Sequence, residues 1–349
     1  MNFGIVGTGL IAEFHARAIA DIPGCRVVAC MDTVPEREEA FGKKFSCAGY
    51  PDLKAFLAHP GLDIVTICTP SGAHMETAVA AAEAKKHLIV EKPIEISLDR
   101  IDAIIRACDA NRVSLSGVFM SRYHESAGVL KKAVETGRFG RITLGSAYIK
   151  WWRSQEYYDK GGWKGTKKFD GGGALMNQGI HAIDLLQWYM GPVESVMAYG
   201  ATLGHQRIEV EDVAVAALRF KNGALGVIEG STAAYPGFLK RIEISGVEGS
   251  VVMEEESFKF WQFAKPRPED GEILEKSSAK AKTGGGASDP AAIGHQGHTL
   301  QFTEIVESLR AGKKPLVDGR EARKAVEIIL AIYKSFETGG EVTLPLRGA

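Results

Sequence analysis

Gly7-Thr8-Gly9-Leu10-Ile11-Ala12, followed by Asp32, decides how the first third of this chain folds. Asn2 to Val6 ahead of it is short and apolar, as a buried strand requires, and Ile11 to Ala20 behind it has a helical period. Strand, glycine turn and helix in that order are the setting that a dinucleotide fingerprint needs. Gly7 permits the tight turn, Gly9 lets the backbone come close to a pyrophosphate, and Ala12 is small enough for close helix–strand packing. The helix start offers unpaired N–H groups and a partial positive charge, so Gly7, Thr8, Gly9, Leu10 and Ile11 are expected to line the cofactor. Asp32 closes a second strand, Arg26 to Met31, where its carboxylate can accept from ribose hydroxyls and repel a 2′-phosphate. NAD is therefore expected in preference to NADP.

The alternation continues. Further strands read at 63–68, 87–90 and 113–119, between helical patterns at Pro35 to Phe45, Asp52 to Leu57 and Ala73 to Ala84, and Ser97 caps a run to Ala110. This predicts an α/β Rossmann domain with a doubly wound parallel sheet. Near residue 120 the pattern changes. A helix over Glu125 to Glu135 leads into β-rich segments at 142–152, 193–203, 213–220, 225–231, 241–245 and 250–254, with Asn222-Gly223 as a hairpin turn. That predicts an α+β C-terminal domain with a mostly antiparallel open sheet. Residues 1–120 are assigned to NAD binding and 121–349 to substrate binding and oligomerisation, with the C-terminal helix, about 320–336, able to pack back on the first domain. A short strand reads at 341–344. Lys276 to Gly297, rich in Ser, Ala, Lys and Gly, reads as a loop. His295 and His298 border it and, without a third ligand, read as structural or solvent-facing.

The 349 residues suffice for two domains, and 42 Lys plus Arg against 43 Asp plus Glu leave a formal charge of −1. Nothing in that balance recruits nucleic acid or an anionic membrane. No apolar run approaches a membrane span, and the first strand begins at residue 2, so neither membrane insertion nor a signal peptide is expected. Cys25, Cys30, Cys47, Cys68 and Cys108 are odd in number and form no CxxC pair, which fits a reduced, cytoplasmic setting. No metal is expected.

Three constellations could carry chemistry. Cys68-Thr69-Pro70-Ser71 falls at the carboxyl end of a parallel strand, where open α/β sheets bind ligands. Thr69, Pro70, Ser71 and the nearby His74 are expected on the cofactor, as are Glu91 and Lys92 of Glu91-Lys92-Pro93. A strand-end lysine beside a cofactor can donate to a substrate oxygen or move a proton once desolvation lowers its pKa. The third constellation runs Asp170-Gly171-Gly172-Gly173-Ala174-Leu175-Met176-Asn177-Gln178-Gly179-Ile180-His181 and on through Asp184 to Gly191-Pro192. Asn177, His181 and Asp184 stand four and three apart, so a helix puts them on one face. The triglycine lets the helix start approach another chain segment or a ligand.

These motifs, in this order and spacing, resemble the glucose–fructose oxidoreductase/inositol dehydrogenase/MocA family over nearly the whole chain. Trp151 to Asp159, Gly162 to Thr166, Gly191 to Val196 and Glu209 to Asp212 are similar to UDP-N-acetylglucosaminuronate 3-dehydrogenases and other sugar 3-dehydrogenases. The resemblance implies hydride transfer between nicotinamide and a secondary ring hydroxyl, C3 being the expected carbon, of a sugar, glycoside or nucleotide sugar. It implies Lys92 at the reacting hydroxyl and His181 as proton acceptor. Many members carry aspartate where this chain has Asn177. Asparagine cannot act as a base, so Asn177 is expected to hold substrate hydroxyls, and His181, with an unperturbed pKa of about 6.5, is the base. Arg153, Tyr157, Tyr158, Trp163, Asn177 and Gln178 join Lys92 and His181 as substrate-binding residues. Aromatic faces suit the C–H face of a sugar, and the arginine fork suits a carboxylate or phosphate. The aromatic cluster reads equally as core or subunit-interface packing. The family implies a homodimer or homotetramer built through the C-terminal sheet. Other readings are an inositol-type polyol dehydrogenase, an NAD-dependent glycoside hydrolase or lyase using transient oxidation, and a ligand-binding or regulatory protein without turnover.

Overall fold

Strands β1 (Asn2–Val6), β2 (Arg26–Met31), β3 (Ala48–Tyr50), β4 (Ile64–Ile67), β5 (His87–Val90) and β6 (Leu115–Gly117) lie in the order β3-β2-β1-β4-β5-β6, every neighbouring pair parallel. This is the doubly wound Rossmann order. The computed structural model describes residues 1–160, 162–279 and 294–346. Ile64, Val65 and Ile67 of β4 and Leu88, Ile89 and Val90 of β5 are all buried. A parallel sheet covered on both faces produces such continuous apolar runs.

The chain divides into two units, Met1–Met120 with Gly294–Val326 and Ser121–Ile293 with Glu327–Ala349. The segment 294–326 thus goes with the first 120 residues, a difference from the simple division at 120. Its helix Gln296–Arg310 brings Phe302, Ile305 and Val306 into one core with Ala12, Ala16 and Ile19 of helix Leu10–Ala20. The unit boundary falls inside helix Gly319–Thr338.

The second unit holds β7 (Ile142–Lys150), β8 (Val193–Ala201), β9 (Val213–Phe220), β10 (Leu225–Ser231), β11 (Arg241–Gly246), β12 (Gly249–Glu254), β13 (Ser257–Phe263) and β14 (Val342–Thr343). Their order is β13-β12-β11-β7-β10-β9-β8-β14, antiparallel throughout except for the parallel pair β7 and β10. In β9, Ala214, Ala216, Leu218 and Phe220 are buried while Val215, Ala217 and Arg219 are exposed, so one face of the sheet is covered and the other open. Helix Ile180–Met190 lies on the covered face, where Gly145 of β7 makes room for Met190.

Several expectations change. The segment Lys276 to Gly297 is not a loop at its ends: helix Asp270–Ala279 covers its start and helix Gln296–Arg310 covers its finish, while 280–293 lie outside the described residues. Strand β3 is an addition to the expected set, because three residues are too few to display a period. Strand β13 is another, since its pairing with β12 shifts register between Val252 and Met253 and breaks the alternation. Among the described residues no helix is long and apolar enough to cross a membrane.

Candidate active site

In the first unit, Gly7 sits at φ +85°, and a Cβ there would lie 2.8 Å from the Cys68 carbonyl, so the turn requires glycine. Helix Leu10–Ala20 starts at Gly9 with no side-chain cap, and a Cβ on Gly9 would meet nothing within 4 Å. Leu10 is exposed beside it and Ile11 is half-buried. Asp32 Oδ2 accepts from Thr8 N at 2.8 Å and from Thr8 Oγ1 at 2.9 Å, while Oδ1 accepts from Val34 N at 2.9 Å. The carboxylate therefore braces the glycine turn, and Oδ1, which accepts once, has a further lone pair for a ribose hydroxyl. An open glycine, an uncapped helix start and a strand-end carboxylate fit a dinucleotide. Gly7 to Ile11 would hold its pyrophosphate and Asp32 its ribose.

Thr69 and Pro70 are half-buried at the end of β4, and Ser71 is buried in a short 3₁₀ turn, Ser71–Ala73. His74 is fully buried. Its Nε2 lies 3.0 Å from Thr69 O, and its Nδ1 lies 3.0 Å from Pro93 O and 3.3 Å from Ile94 O. Its side chain ties two loops together, which corrects the expectation that it touches the cofactor. The side chain of Glu91 also turns inward. Oε1 lies 2.7 Å from His15 Nε2, and Oε2 accepts from Lys92 N at 3.0 Å. Burial by itself would raise the Glu91 carboxyl, but the hydrogen bond from His15 and the nearby His298 imidazole hold it well below the usual carboxylate range. Burial pushes the His15 imidazole down. A neutral His15 donating to an ionised Glu91 satisfies both, with Nδ1 facing Thr66 Oγ1 at 2.7 Å. His298, expected to be structural or solvent-facing, is buried with its Nε2 3.7 Å from Glu91 Oε1. These three residues gather metal-ligating atoms within 4.8 Å of one another, and a hydrogen bond already accounts for the closest pair. Lys92 follows, half-buried, with a cis peptide to Pro93.

The second unit carries the other residues. Asn177 and Gln178 lie in a π-helical turn, Ala174–Gly179, and His181 is half-buried in the first turn of helix Ile180–Met190. Cβ atoms on Gly172 and Gly173 would collide with the Tyr333 hydroxyl and the Glu211 carbonyl. It is thus a chain segment that the triglycine approaches. Glu211 pins this turn. Its carboxylate accepts from Gly173 N, Leu175 N and Tyr333 O–H, all at 2.9 Å, and its carbonyl accepts from Ala174 N at 3.0 Å. Burial pushes the Glu211 carboxyl up to about 7 against the pull of those donors. Next to it, Asp212 accepts from Leu203, Gly204 and His205 backbone N–H groups at 2.7, 2.8 and 2.8 Å, and His205 Nε2 in turn lies 2.8 Å from Arg153 O. Adjacent carboxylates therefore hold two different parts of the site.

Arg153 is buried, and its guanidinium donates to Trp152 O and to Gln178 Oε1, each at 2.8 Å. Gln178 Nε2 donates to the Tyr157 hydroxyl at 3.1 Å, and Lys164 Nζ lies 3.9 Å from the centroid of the Tyr157 ring. Burial pushes the Tyr157 phenol up to about 12, with Asp170 adding to it. Trp163 is half-buried. Tyr158 departs from expectation: it is buried, its hydroxyl meets Thr232 Oγ1 at 2.9 Å and its ring packs edge-on to His205 at 4.8 Å. It is a core residue because its polar tip already has a partner. Asp184, three residues after His181 in the same helix, is more buried than His181. It is fully buried in a two-pronged pair with Arg122, at 2.7 and 2.6 Å, while Asn177 and His181 are half-buried. Asn177 lies in the wider π turn before Ile180, which undoes its 3.6-residue spacing to His181, whereas His181 and Asp184 keep theirs within one α-helix. Sequence reasoning assigned no role to Asp170, Glu211 or His205. The sole signal was the acidic Glu209-Val210-Glu211-Asp212 run between β-rich segments.

Residues 1–118 match the model of an oxidoreductase family with an NAD-binding Rossmann fold, and residues 129–252 match that of the GFO/IDH/MocA C-terminal domain. The WlbA dehydrogenase from Bordetella pertussis, crystallised in complex with NADH and UDP-GlcNAcA, is 36% identical, with 99% of this chain and 98% of that chain covered at a TM-score of 0.89. Myo-inositol 2-dehydrogenase of Thermotoga maritima is 27% identical, covering 99% of this chain and 98% of that protein. YrbE, an uncharacterized oxidoreductase of Bacillus subtilis, is 31% identical over 72% of this chain and 73% of its own. The chain belongs to the Gfo/Idh/MocA family of NAD-binding oxidoreductases.

Proposed function

We propose that this oxidoreductase oxidises, or in reverse forms, a secondary ring alcohol of a sugar or nucleotide sugar, with C3 as the reacting carbon. The observation that carries this reading is the polar wall of the second unit, where Asn177, Gln178 and Tyr157 stand just ahead of His181. Its amides and phenol match the hydroxyls of a sugar ring, and the likeness to WlbA with UDP-GlcNAcA supports a nucleotide sugar. NAD, held by Gly7 to Ile11 and Asp32 with Thr69, Pro70, Ser71 and Lys92, supplies the hydride acceptor. His181 takes the hydroxyl proton as the carbon–oxygen double bond forms. Lys92 donates to the oxygen as negative charge develops there. Trp163 and Tyr157 offer aromatic faces to the ring, and Arg153 acts on the substrate wall through Gln178. The first domain binds the cofactor and the second the substrate.

The open face of the eight-stranded sheet supports a homodimer or homotetramer. Tyr199 on β8 pairs with Val215 on β9, and Leu225 on β10 with Leu144 on β7, and all four are exposed. Light scattering that returns a monomer mass at micromolar concentration removes that assignment. Five free cysteines support a reducing, cytoplasmic compartment. The activity is tested by following NADH formation spectroscopically with UDP-N-acetylglucosaminuronate, free hexoses, hexuronates, glycosides and inositols, with product regiochemistry by NMR. Reduction by a pyranose upholds the reading. Glycoside cleavage without net NADH moves the protein to the hydrolase or lyase class, and reduction by inositols alone to the polyol dehydrogenases.

A further inference from the structure

One lysine of the second unit differs from its neighbours. Lys131, Lys150 and Lys240 are half-buried, and each faces an oxygen: the Trp188 carbonyl at 2.7 Å, Glu229 at 3.8 Å and Glu255 at 3.3 Å. Lys164 is half-buried as well, yet its Nζ meets a ring instead, 3.9 Å from the centroid of Tyr157. Among the described residues no hydrogen bond or ion pair reaches that nitrogen. A ring face attracts the ammonium charge but offers its three N–H donors no oxygen.

Two cations share this ring, since Arg153 Cζ lies 5.7 Å from the same centroid. Burial pushes the Lys164 ammonium down, the Asp170 carboxylate opposes this, and the Arg153 charge adds to it. Arg153 itself is 2% exposed and donates to Trp152 O and Gln178 Oε1, so its fork is held inside the protein. The carboxylate or phosphate contact expected of that arginine therefore needs another cation. The Tyr157 hydroxyl accepts from Gln178 Nε2 at 3.1 Å and has its own proton to donate, which burial secures by pushing the phenol up to about 12. An ammonium on the ring face and an O–H at the ring edge are thus neighbouring donors.

We propose that Lys164 and the Tyr157 hydroxyl form the specificity-determining contact for an anionic oxygen group of the substrate, with a sugar carboxylate and a nucleotide phosphate as the two sources of that chemistry. A neutral hydroxyl can accept from either donor. An anionic oxygen does more, because it also offsets the repulsion between two cations on one ring and the cost of keeping an ammonium half-buried. The inference rests on the reading that the wall of Tyr157, Gln178 and Asn177 binds the sugar.

The competing explanation is that Lys164 only packs its stem over Tyr157 and leaves its charge to water. K164M keeps the stem and removes the charge, and K164R restores the charge. Calorimetry on the full chain saturated with NADH compares four ligands built on one ring: UDP-N-acetylglucosaminuronate, UDP-N-acetylglucosamine, N-acetylglucosaminuronate and N-acetylglucosamine. We expect K164M to raise Kd about tenfold or more for every ligand that carries the recognised anion, the size of one hydrogen bond to a charged group, and to leave the others unchanged. A rise for the two uronates alone identifies the carboxylate, and a rise for the two UDP ligands alone identifies the phosphate. K164R recovers most of the loss in either case, and NAD affinity, from a fluorescence titration, does not move. A rise for all four ligands, or for none, overturns the proposal, as does a loss that K164R leaves in place. If K164M fails to fold, K164Q takes its place, and failure of both makes Lys164 a structural residue and overturns the proposal. A readout without sugar separates this inference from the function it rests on. In protein labelled with ¹³C at lysine Cε, the Lys164 signal, identified by its loss in K164M, shifts saturably on titration with acetate or inorganic phosphate at constant ionic strength. That shift in a protein that oxidises no sugar condemns the proposed function and leaves the anion contact standing. No shift with either anion overturns the contact, whatever the enzyme oxidises.

Discussion

Glu91 in the first unit and Glu211 in the second are both buried carboxylates, yet they are driven in opposite directions. Glu91 is held well below the usual carboxylate range by the His15 hydrogen bond and the nearby His298 imidazole, which overcome its burial. Glu211 has backbone N–H groups and a phenol as its partners, and burial pushes it up to about 7. Depth is alike in the two cases, and the partners differ. The groups that face each carboxylate, rather than its depth, set the direction of the shift. The residues proposed to hold the cofactor lie in one unit and the proposed proton acceptor in the other.

The largest effect expected from this division is on turnover. His181→Ala should lower kcat by roughly 10²–10⁴-fold, the usual size of a general-base contribution, while leaving NAD affinity untouched. Steady-state kinetics beside a fluorescence titration of NAD checks both halves, and wild-type kcat in the variant takes the histidine out of the mechanism.

The next effect is on stability against pH. A carboxylate raised above its ordinary 4.5 favours the folded state most at acid pH, because the folded form keeps its proton longer than the unfolded one. That contribution is lost as pH rises from 4.5 through about 7. Glu211→Gln removes the titration, so the stability of wild type minus that of the variant should fall by about 3 kcal/mol between about pH 4.5 and pH 8, read from urea midpoints. A difference that stays flat across that range breaks the contrast between the two glutamates. Glu91→Gln should behave with the opposite sign. A depressed carboxylate stabilises the fold above its unfolded pKa and loses that contribution as pH falls through the folded value. The variant should therefore lose about 1.5–3 kcal/mol near neutrality, the size of a hydrogen bond to a charged group, and less in acid. A penalty that grows on acidification contradicts an ionised Glu91.

The smallest effect concerns cofactor choice. Asp32→Ala removes the ribose acceptor and the brace on Thr8, and should narrow the preference for NAD over NADP by about tenfold with little change in kcat. An unchanged ratio of the two dissociation constants removes the carboxylate from that role.

Legibility followed the range of the interactions. Strands β1, β2 and β5 begin and end where the sequence placed them, since each is a short apolar run bounded by turn residues. In the second unit the main β-segments were legible from alternation, and β13 was not, because a register shift hides its alternation. Gly7 was readable because its left-handed conformation is a property of one residue. Tyr158 was not, since nothing in Tyr157-Tyr158 tells which ring ends in the core.

By itself the sequence determined the order of strand, turn and helix around Gly7, the acid at the end of β2, the parallel and antiparallel halves, and a histidine behind a glycine run. These depend on backbone conformation and period within about twenty residues. Tertiary structure alone decided which polar residues act as supports. Arg122 pairs with Asp184 across 62 positions, His15 meets Glu91 across 76, and Glu211 reaches Gly173 across 38 and Tyr333 across 122. A buried polar group must find its partner wherever the fold brings one, and no local pattern announces where that is.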